Sequence, residues 1–236
     1  MEAPARFTAD MVRDEKVKVL QAIRKYDGDD FVQNTFRGQY EGYLQEDGVP
    51  AESRTPTFSA IKLHVDNWRW NGVPFYLRSG KAMSCRTTQI VIQFREPPHL
   101  LFNEDRRGSW DANQLVIQIQ PAEGIQLQFH TKVPDAGMQL RMTNLDFSFS
   151  REFSGAMPDA YQRLLLDALN GDASLFARSD EVELAWGIID PITQFWQQMN
   201  QPEIFRYPVG QWGPQESDEW IGQDGRRWFD VCPILH

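Results

Sequence analysis

Two cations of different geometry stand close together in GVPFYLRSGKAMSCRTTQIVIQF, the stretch from Gly72 to Phe94. Lys81 is a compact, mobile point charge, whereas Arg86 is a planar fork that matches the oxygens of a phosphate or carboxylate. A Ser79-Gly80 turn leads into them and a second strand-like run follows, so the chemistry open to the pair is anion capture from a β frame. On spacing alone, the commoner reading of such a segment is a solvated connection between strands. Other reactive residues do not assemble. His64, His99, His130 and His236 lack metal-ligand spacing with acids or thiols, and Cys85 and Cys232 form neither a zinc pattern nor a disulfide framework. No G-x-G-x-x-G turn opens a helix, and Arg106-Arg107 is too short a basic run to imply nucleic acid.

The elements that must carry these residues follow from periodicity. Val17, Leu20 and Ile23, with Asp14 and Glu15 ahead of them, predict an amphipathic helix ending at Gly28 to Asp30. Strands are predicted over Thr57 to Val65, Pro74 to Arg78, Thr88 to Phe94, Gln114 to Gln120, Ile125 to Lys132 and Gln139 to Phe149, with Gly, Pro and Asn/Asp turns between them. Short connections imply mainly antiparallel pairing. Helices are predicted over Asp159 to Leu169 and over Asp180 to Met199, with Pro191 expected to kink or divide the second. The expected fold class is α+β, a large, mainly antiparallel sheet with helices packed on one face, and residues 1–236 read as a single domain. Most of the tryptophans, Trp68, Trp70, Trp186, Trp196, Trp212, Trp220 and Trp228, are expected in core packing.

Composition narrows the class. The chain has 236 residues, 41% of them hydrophobic, enough for a sizeable core, and its net charge of -9 argues against nucleic-acid or anionic-membrane partners. No apolar run approaches the roughly 18 residues of a membrane span and no signal-peptide pattern occurs, so the reading is cytoplasmic. Ile90, Ile92 and Phe94 alternate with Gln89, Val91 and Gln93, and the runs from Leu115 and Ile125 repeat the pattern. One sheet face is thus aliphatic and is expected to pack on helices, while the other is rich in uncharged glutamine and reads either as a wet surface or as a subunit interface.

Beyond the loop itself, RGQYEGYLQEDGVPAESRTPTFSAIKLHVDNWRWNGVPF, RSGKAMSCR, NQLVIQIQP, PDAYQRLLLDALNGDASLFARSDEVELAW and YPVGQWGPQESDEW occur in this order. Together they resemble the C-terminal domain of the glucose-6-phosphate dehydrogenases over nearly the whole chain. The family's dinucleotide-binding Rossmann half and its histidine-bearing RIDHYLGK-like segment have no counterpart here. The sequence therefore reads as a C-terminal piece, from truncation or a split gene, inactive by itself.

The resemblance implies roles at matched positions. Lys81 and Arg86 would contact the phosphate of glucose 6-phosphate, and Gln120 would hold sugar hydroxyls as both donor and acceptor. NADP would be bound mainly by the absent half, which also supplies the general base, and a homo-oligomer would form through the sheet. Some family members hold a second, structural NADP. Arg78 and Asp146 match that set, but Thr87, Val91, Gln118, Gln126 and Gln128 stand where those members place cations or tyrosine, so that site is expected to be absent. The rival expectation is a non-catalytic interaction module that kept the fold.

Overall fold

The computed structural model describes residues 1–96, 112–121, 123–137, 139–152, 160–199 and 201–232. His99, His236 and Arg106-Arg107 lie outside the described residues. The chain divides into two units, Met1–Ser84 with Pro158–Trp228, and Cys85–Met157 with Phe229–His236.

In the first unit, helix α1 (Ala9–Gln21) buries Val12 and Val17 and carries Asp10 in its first turn, where a carboxylate favours the helix dipole. A short helix, α2 (Asp30–Gln33), leads into strand β1 (Thr35–Tyr40), followed by β2 (Phe58–His64) and β3 (Pro74–Gly80). Together with β8 (Ile204–Tyr207), they form a sheet in the order β3-β2-β1-β8. The pairs β1–β2 and β2–β3 are antiparallel, whereas β8 runs parallel to β1.

Strand β2 shows why both faces of this sheet are covered. Phe58 and Ala60 point to one side and join Phe36 and Tyr207, with Met83, Trp220 and Trp228 packed around them. Ile61 and Leu63 point to the other, onto Ile192 and Trp196 of helix α5. Pro191 does not divide that helix, which runs from Ser179 to Met199. The apolar residues on either side of the proline, Ile188, Ile189, Phe195 and Trp196, are all held in one cluster, and this packing outweighs one missing backbone hydrogen bond. The unit also contains helices α4 (Ala160–Asn170) and α6 (Glu216–Gly222). Among the described residues no helix is long and apolar enough to cross a membrane.

The second unit holds β4 (Thr88–Gln93), β5 (Gln114–Gln120), β6 (Gly124–Lys132) and β7 (Leu140–Ser148), antiparallel in that order, followed by the short helix α3 (Phe149–Glu152). The α+β class with mainly antiparallel pairing is as the sequence implied, with the described strands shared between two sheets of four. Register aligns Ile90, Ile117, Ile125 and Phe147 across the sheet, and beside them Ile92, Leu115, Leu127 and Leu145. The opposite face carries Val91, Val116, Gln126 and Asp146.

This sheet corrects one expectation. The aliphatic face is open: Ile90 is 50% exposed and Leu145 64%. On the opposite face, Gln128 Nε2 donates to Gln126 Oε1 at 3.0 Å and Gln126 Nε2 to Asp146 Oδ1 at 2.7 Å. Gln89 Nε2 donates to the carbonyl of Phe229 at 3.2 Å, and Val116 between them is fully buried. Alternation separates the faces but does not say which one is covered. A second correction concerns sulfur: Cys85 and Cys232 form a disulfide, their Cα atoms 6.1 Å apart across 147 residues of sequence. No sequence spacing signals a pair joined only by the folding of the segments around it.

Tryptophan burial is also uneven. Trp196 is 4% exposed, but Trp68 and Trp186 lie on the surface.

A close approach occurs at Gly38 in β1, where a Cβ atom would lie 2.7 Å from Pro214 Cγ and 3.1 Å from the Phe205 carbonyl oxygen. Gly38→Ala is therefore expected to destabilise the fold by about 1–3 kcal/mol through overpacking. Urea unfolding is the check, with a lowered midpoint expected at unchanged slope.

Candidate anion-binding site

Lys81 follows directly on β3, and its backbone is fixed from two sides. Its N–H donates to the Thr57 carbonyl at 2.8 Å, and its own carbonyl accepts the Tyr207 hydroxyl at 2.7 Å. Its side chain is exposed. The next residue, Ala82, adopts φ +51°, a left-handed conformation unusual for a residue with a Cβ. The Gly210 N–H donates to the Ala82 carbonyl at 2.8 Å, and the Ser84 N–H donates to the Gln211 carbonyl at 3.1 Å. The loop is thus a built structure with an exposed ammonium, held by a turn more than a hundred residues away in sequence. Sequence reading found Lys81 but gave no role to Tyr207. An aromatic ring in a short apolar run carries no sign that its hydroxyl meets a particular carbonyl.

Arg86 and Gln120 belong to the second unit, and the structure brings these two close. Thr87 Oγ1, adjacent to Arg86, donates to the Gln120 carbonyl at 3.1 Å, and Thr88 is the register partner of Gln120. Both side chains are exposed. The Cys85–Cys232 bond ties the residue preceding Arg86 to the C-terminal segment. Such an arrangement can present a guanidinium and an amide to a polar ligand, the first to an anionic group and the second to hydroxyls. Lys81 is placed in the first unit and is described there.

Arg78 on β3 has aromatic company. Its guanidinium carbon lies 5.3 Å from the Trp212 ring centroid and 4.6 Å from that of Trp228, and Nη1 donates to the Trp212 carbonyl at 3.3 Å. Cation–π contact of this kind helps to hold an arginine in place. Beside it, Asp224 binds Lys62 Nζ at 2.7 Å and accepts the Tyr76 hydroxyl at 2.5 Å. Burial acts to raise the Asp224 pKa, yet the hydrogen bonds from Lys62 and Tyr76 outweigh it and hold the carboxyl below its ordinary value. Burial and the Asp224 partner push the Tyr76 phenol well above its usual range. The His64 pKa is lowered, first by desolvation and then by Arg24 and Lys62, so the imidazole is neutral near pH 7.

Comparison with known proteins follows the same outline. A family model described as glucose-6-phosphate dehydrogenase, C-terminal domain, matches residues 1–229. A glucose-6-phosphate 1-dehydrogenase of Rhizobium meliloti (strain 1021) is 46% identical over 244 residues, covering 98% of this chain and 49% of that protein. One of Treponema pallidum (strain Nichols) is 43% identical over 246 residues, covering 100% of this chain and 48% of its own length. The chain thus spans about half the length of the curated relatives it matches. Among solved structures, a glucose-6-phosphate 1-dehydrogenase from Mycobacterium avium superposes with TM-score 0.81 at 34% identity, covering 100% of this chain and 48% of that one. A glucose-6-phosphate dehydrogenase in complex with its substrate glucose-6-phosphate superposes with TM-score 0.85 at 35% identity, covering 98% of this chain and 48% of that one.

Proposed function

Since the chain belongs to the glucose-6-phosphate dehydrogenase C-terminal domain family, we propose that it forms the substrate-positioning and self-associating part of an NADP-dependent glucose-6-phosphate dehydrogenase acting in the cytoplasm. The observation that carries this reading is the exposed Lys81 ammonium on a backbone fixed by hydrogen bonds, in the RSGKAMSCR segment that resembles the family's sugar-phosphate loop. Lys81 and Arg86 neutralise the phosphate dianion, and Gln120 orients the sugar through its hydroxyls. The two units act together as one functional domain, a reading supported by a family match that runs through both.

These residues bind and orient; they do not take a proton from C1 or accept hydride. Oxidation of glucose 6-phosphate to 6-phosphogluconolactone needs a general base and NADP, and both are assigned to the half of the relatives that this chain does not match. NADP supplies the hydride acceptor when bound there. A second, structural NADP does not fit the residues present, because Gln118, Gln126 and Gln128 are neutral and Asp146 already accepts from Gln126. A 2′-phosphate at that face would lack charge-assisted donors.

Self-association is assigned to the aliphatic face of the second sheet. Ile90, Ile92, Ile125, Leu145 and Phe147, each at least 39% exposed, form a contiguous apolar surface on the register given above. Burying such a surface against its own copy removes apolar area from water on both sides.

Assays of initial rate give the first check. The chain alone is expected to reduce no NADP with glucose 6-phosphate. Joined to or co-expressed with the remaining half of a relative, it is expected to support turnover, and Lys81→Ala then raises KM for glucose 6-phosphate by roughly 10- to 150-fold, the worth of a charged hydrogen bond. Gln120→Ala costs less because its bonds are neutral, Arg86→Lys is defective where the planar fork is used, and KM for NADP barely moves. Unchanged sugar-phosphate kinetics in Lys81→Ala would return the loop to a solvated connection.

Sedimentation velocity checks the interface. The wild-type chain is expected to self-associate, and Leu145→Glu to weaken association by about tenfold or more through a buried, unpaired charge. A monomeric wild type, or a variant that associates equally well, removes this face from the interface.

A further inference from the structure

We propose that Tyr207 is a positioning residue for Lys81, an inference that rests on the reading of Lys81 as a phosphate anchor. Tyr207 ends β8 and is fully buried. Its ring packs edge-on against Phe58 and Tyr40, so its place is set by the core and not by the loop. From there its hydroxyl donates to the Lys81 carbonyl at 2.7 Å, while the Thr57 hydroxyl lies 3.3 Å away on the same oxygen. Burial raises the phenol's pKa against the lowering effect of its hydrogen bonds, so the group remains a protonated donor through the neutral range.

The chain just beyond Tyr207 continues the grip. Gly210 donates to Ala82 and Gln211 accepts from Ser84, at 2.8 and 3.1 Å. With the Lys81 N–H bound to Thr57 and Met83 packed against the core cluster, every residue from Lys81 to Ser84 is held. The left-handed φ of Ala82 is the sign that this hold matters, because such a conformation in an alanine persists only where its surroundings over-determine it. The Tyr207 bond fixes the Lys81 peptide immediately before that strained residue. Without it the loop is free to relax toward ordinary φ, and the Cα–Cβ direction of Lys81 goes with it. The ammonium would still be present and still charged, but no longer pre-aimed, and ligand binding would have to order it.

The test is a double-mutant cycle on the assembled dehydrogenase, using Tyr207→Phe, Lys81→Ala and both together, with glucose 6-phosphate as the varied substrate. Tyr207→Phe keeps the ring and removes only the hydroxyl. It is expected to raise KM for glucose 6-phosphate about tenfold, to leave kcat and the KM for NADP within about twofold, and to have no further effect in the Lys81→Ala background, since positioning acts through that lysine. An equal cost in both backgrounds would mark a general structural defect and overturn the inference, as would a silent Tyr207→Phe beside a defective Lys81→Ala. A silent Lys81→Ala is the distinct result that overturns the anion-site reading and takes this inference with it. Should Tyr207→Phe not fold, as judged by near-UV circular dichroism, Ala82→Val carries the test. A β-branched residue resists the left-handed φ of this exposed position and so drives the same loop toward ordinary φ without removing a core group; it is expected to raise KM for glucose 6-phosphate with the near-UV spectrum kept, and an unchanged KM counts against positioning.

Discussion

The first unit depends on burying a guanidinium. Arg37 is 1% exposed at the centre of β1, donating from Nε to the Pro202 carbonyl at 2.7 Å and from Nη1 to the Trp196 carbonyl at 2.9 Å, with its cation 5.9 Å from the Trp196 ring centroid. Burial, and secondarily Arg54, push its pKa down to about 10, which still leaves it charged at neutral pH. A buried cation demands acceptors, and these carbonyls lie at the end of α5 and at the approach to β8. Trp196 closes the circuit by donating to the Thr35 hydroxyl at 2.9 Å. Gln39, two residues along the same face, donates to the Ser53 and Thr55 carbonyls and accepts from Arg206. Polar side chains inside β1 thus decide where α5 stops and where β8 must lie.

From that constraint the loop geometry follows. A β8 strand held parallel to β1 delivers Tyr207 and the turn after it to the end of β3, where they grip Lys81 to Ser84 through main-chain groups. A mobile lysine on an unsupported loop would have to surrender backbone and side-chain freedom on binding an anion. Here the backbone share of that ordering is met during folding, and only the lysine stem keeps its freedom. The same logic appears more weakly in the second unit, where Thr87, the β4–β5 ladder and the Cys85–Cys232 bond flank Arg86.

The second sheet solves a different problem. On its polar face Gln128 donates to Gln126 and Gln126 to Asp146, while Gln89 Oε1 is buried without a hydrogen-bond partner among the described residues. Its aliphatic face has no such internal solution, because apolar side chains leave water only when something covers them. That asymmetry is the physical reason for assigning self-association to the aliphatic side.

Sequence alone determined most elements of this protein. Period-two alternation located β2 to β7, amphipathic spacing located α1, entry and stop signals helped to place α4 and α5, and the RSGKAMSCR segment identified a lysine and an arginine suited to an anion. Strand β1 was not legible, since a run reading Thr-Phe-Arg-Gly-Gln-Tyr places arginine and glutamine where a buried strand ordinarily carries valine or isoleucine. Strand β8, too short to show a period, was equally silent. Only the tertiary structure decided that Arg37 and Gln39 are interior, that Gln126 meets Asp146, that Cys85 meets Cys232, and that Tyr207 holds Lys81. Each of these is a pairing between residues distant in the chain. Local pattern encodes which side of an element is apolar, whereas the identity of the group that satisfies a buried donor is fixed only when the chain closes on itself.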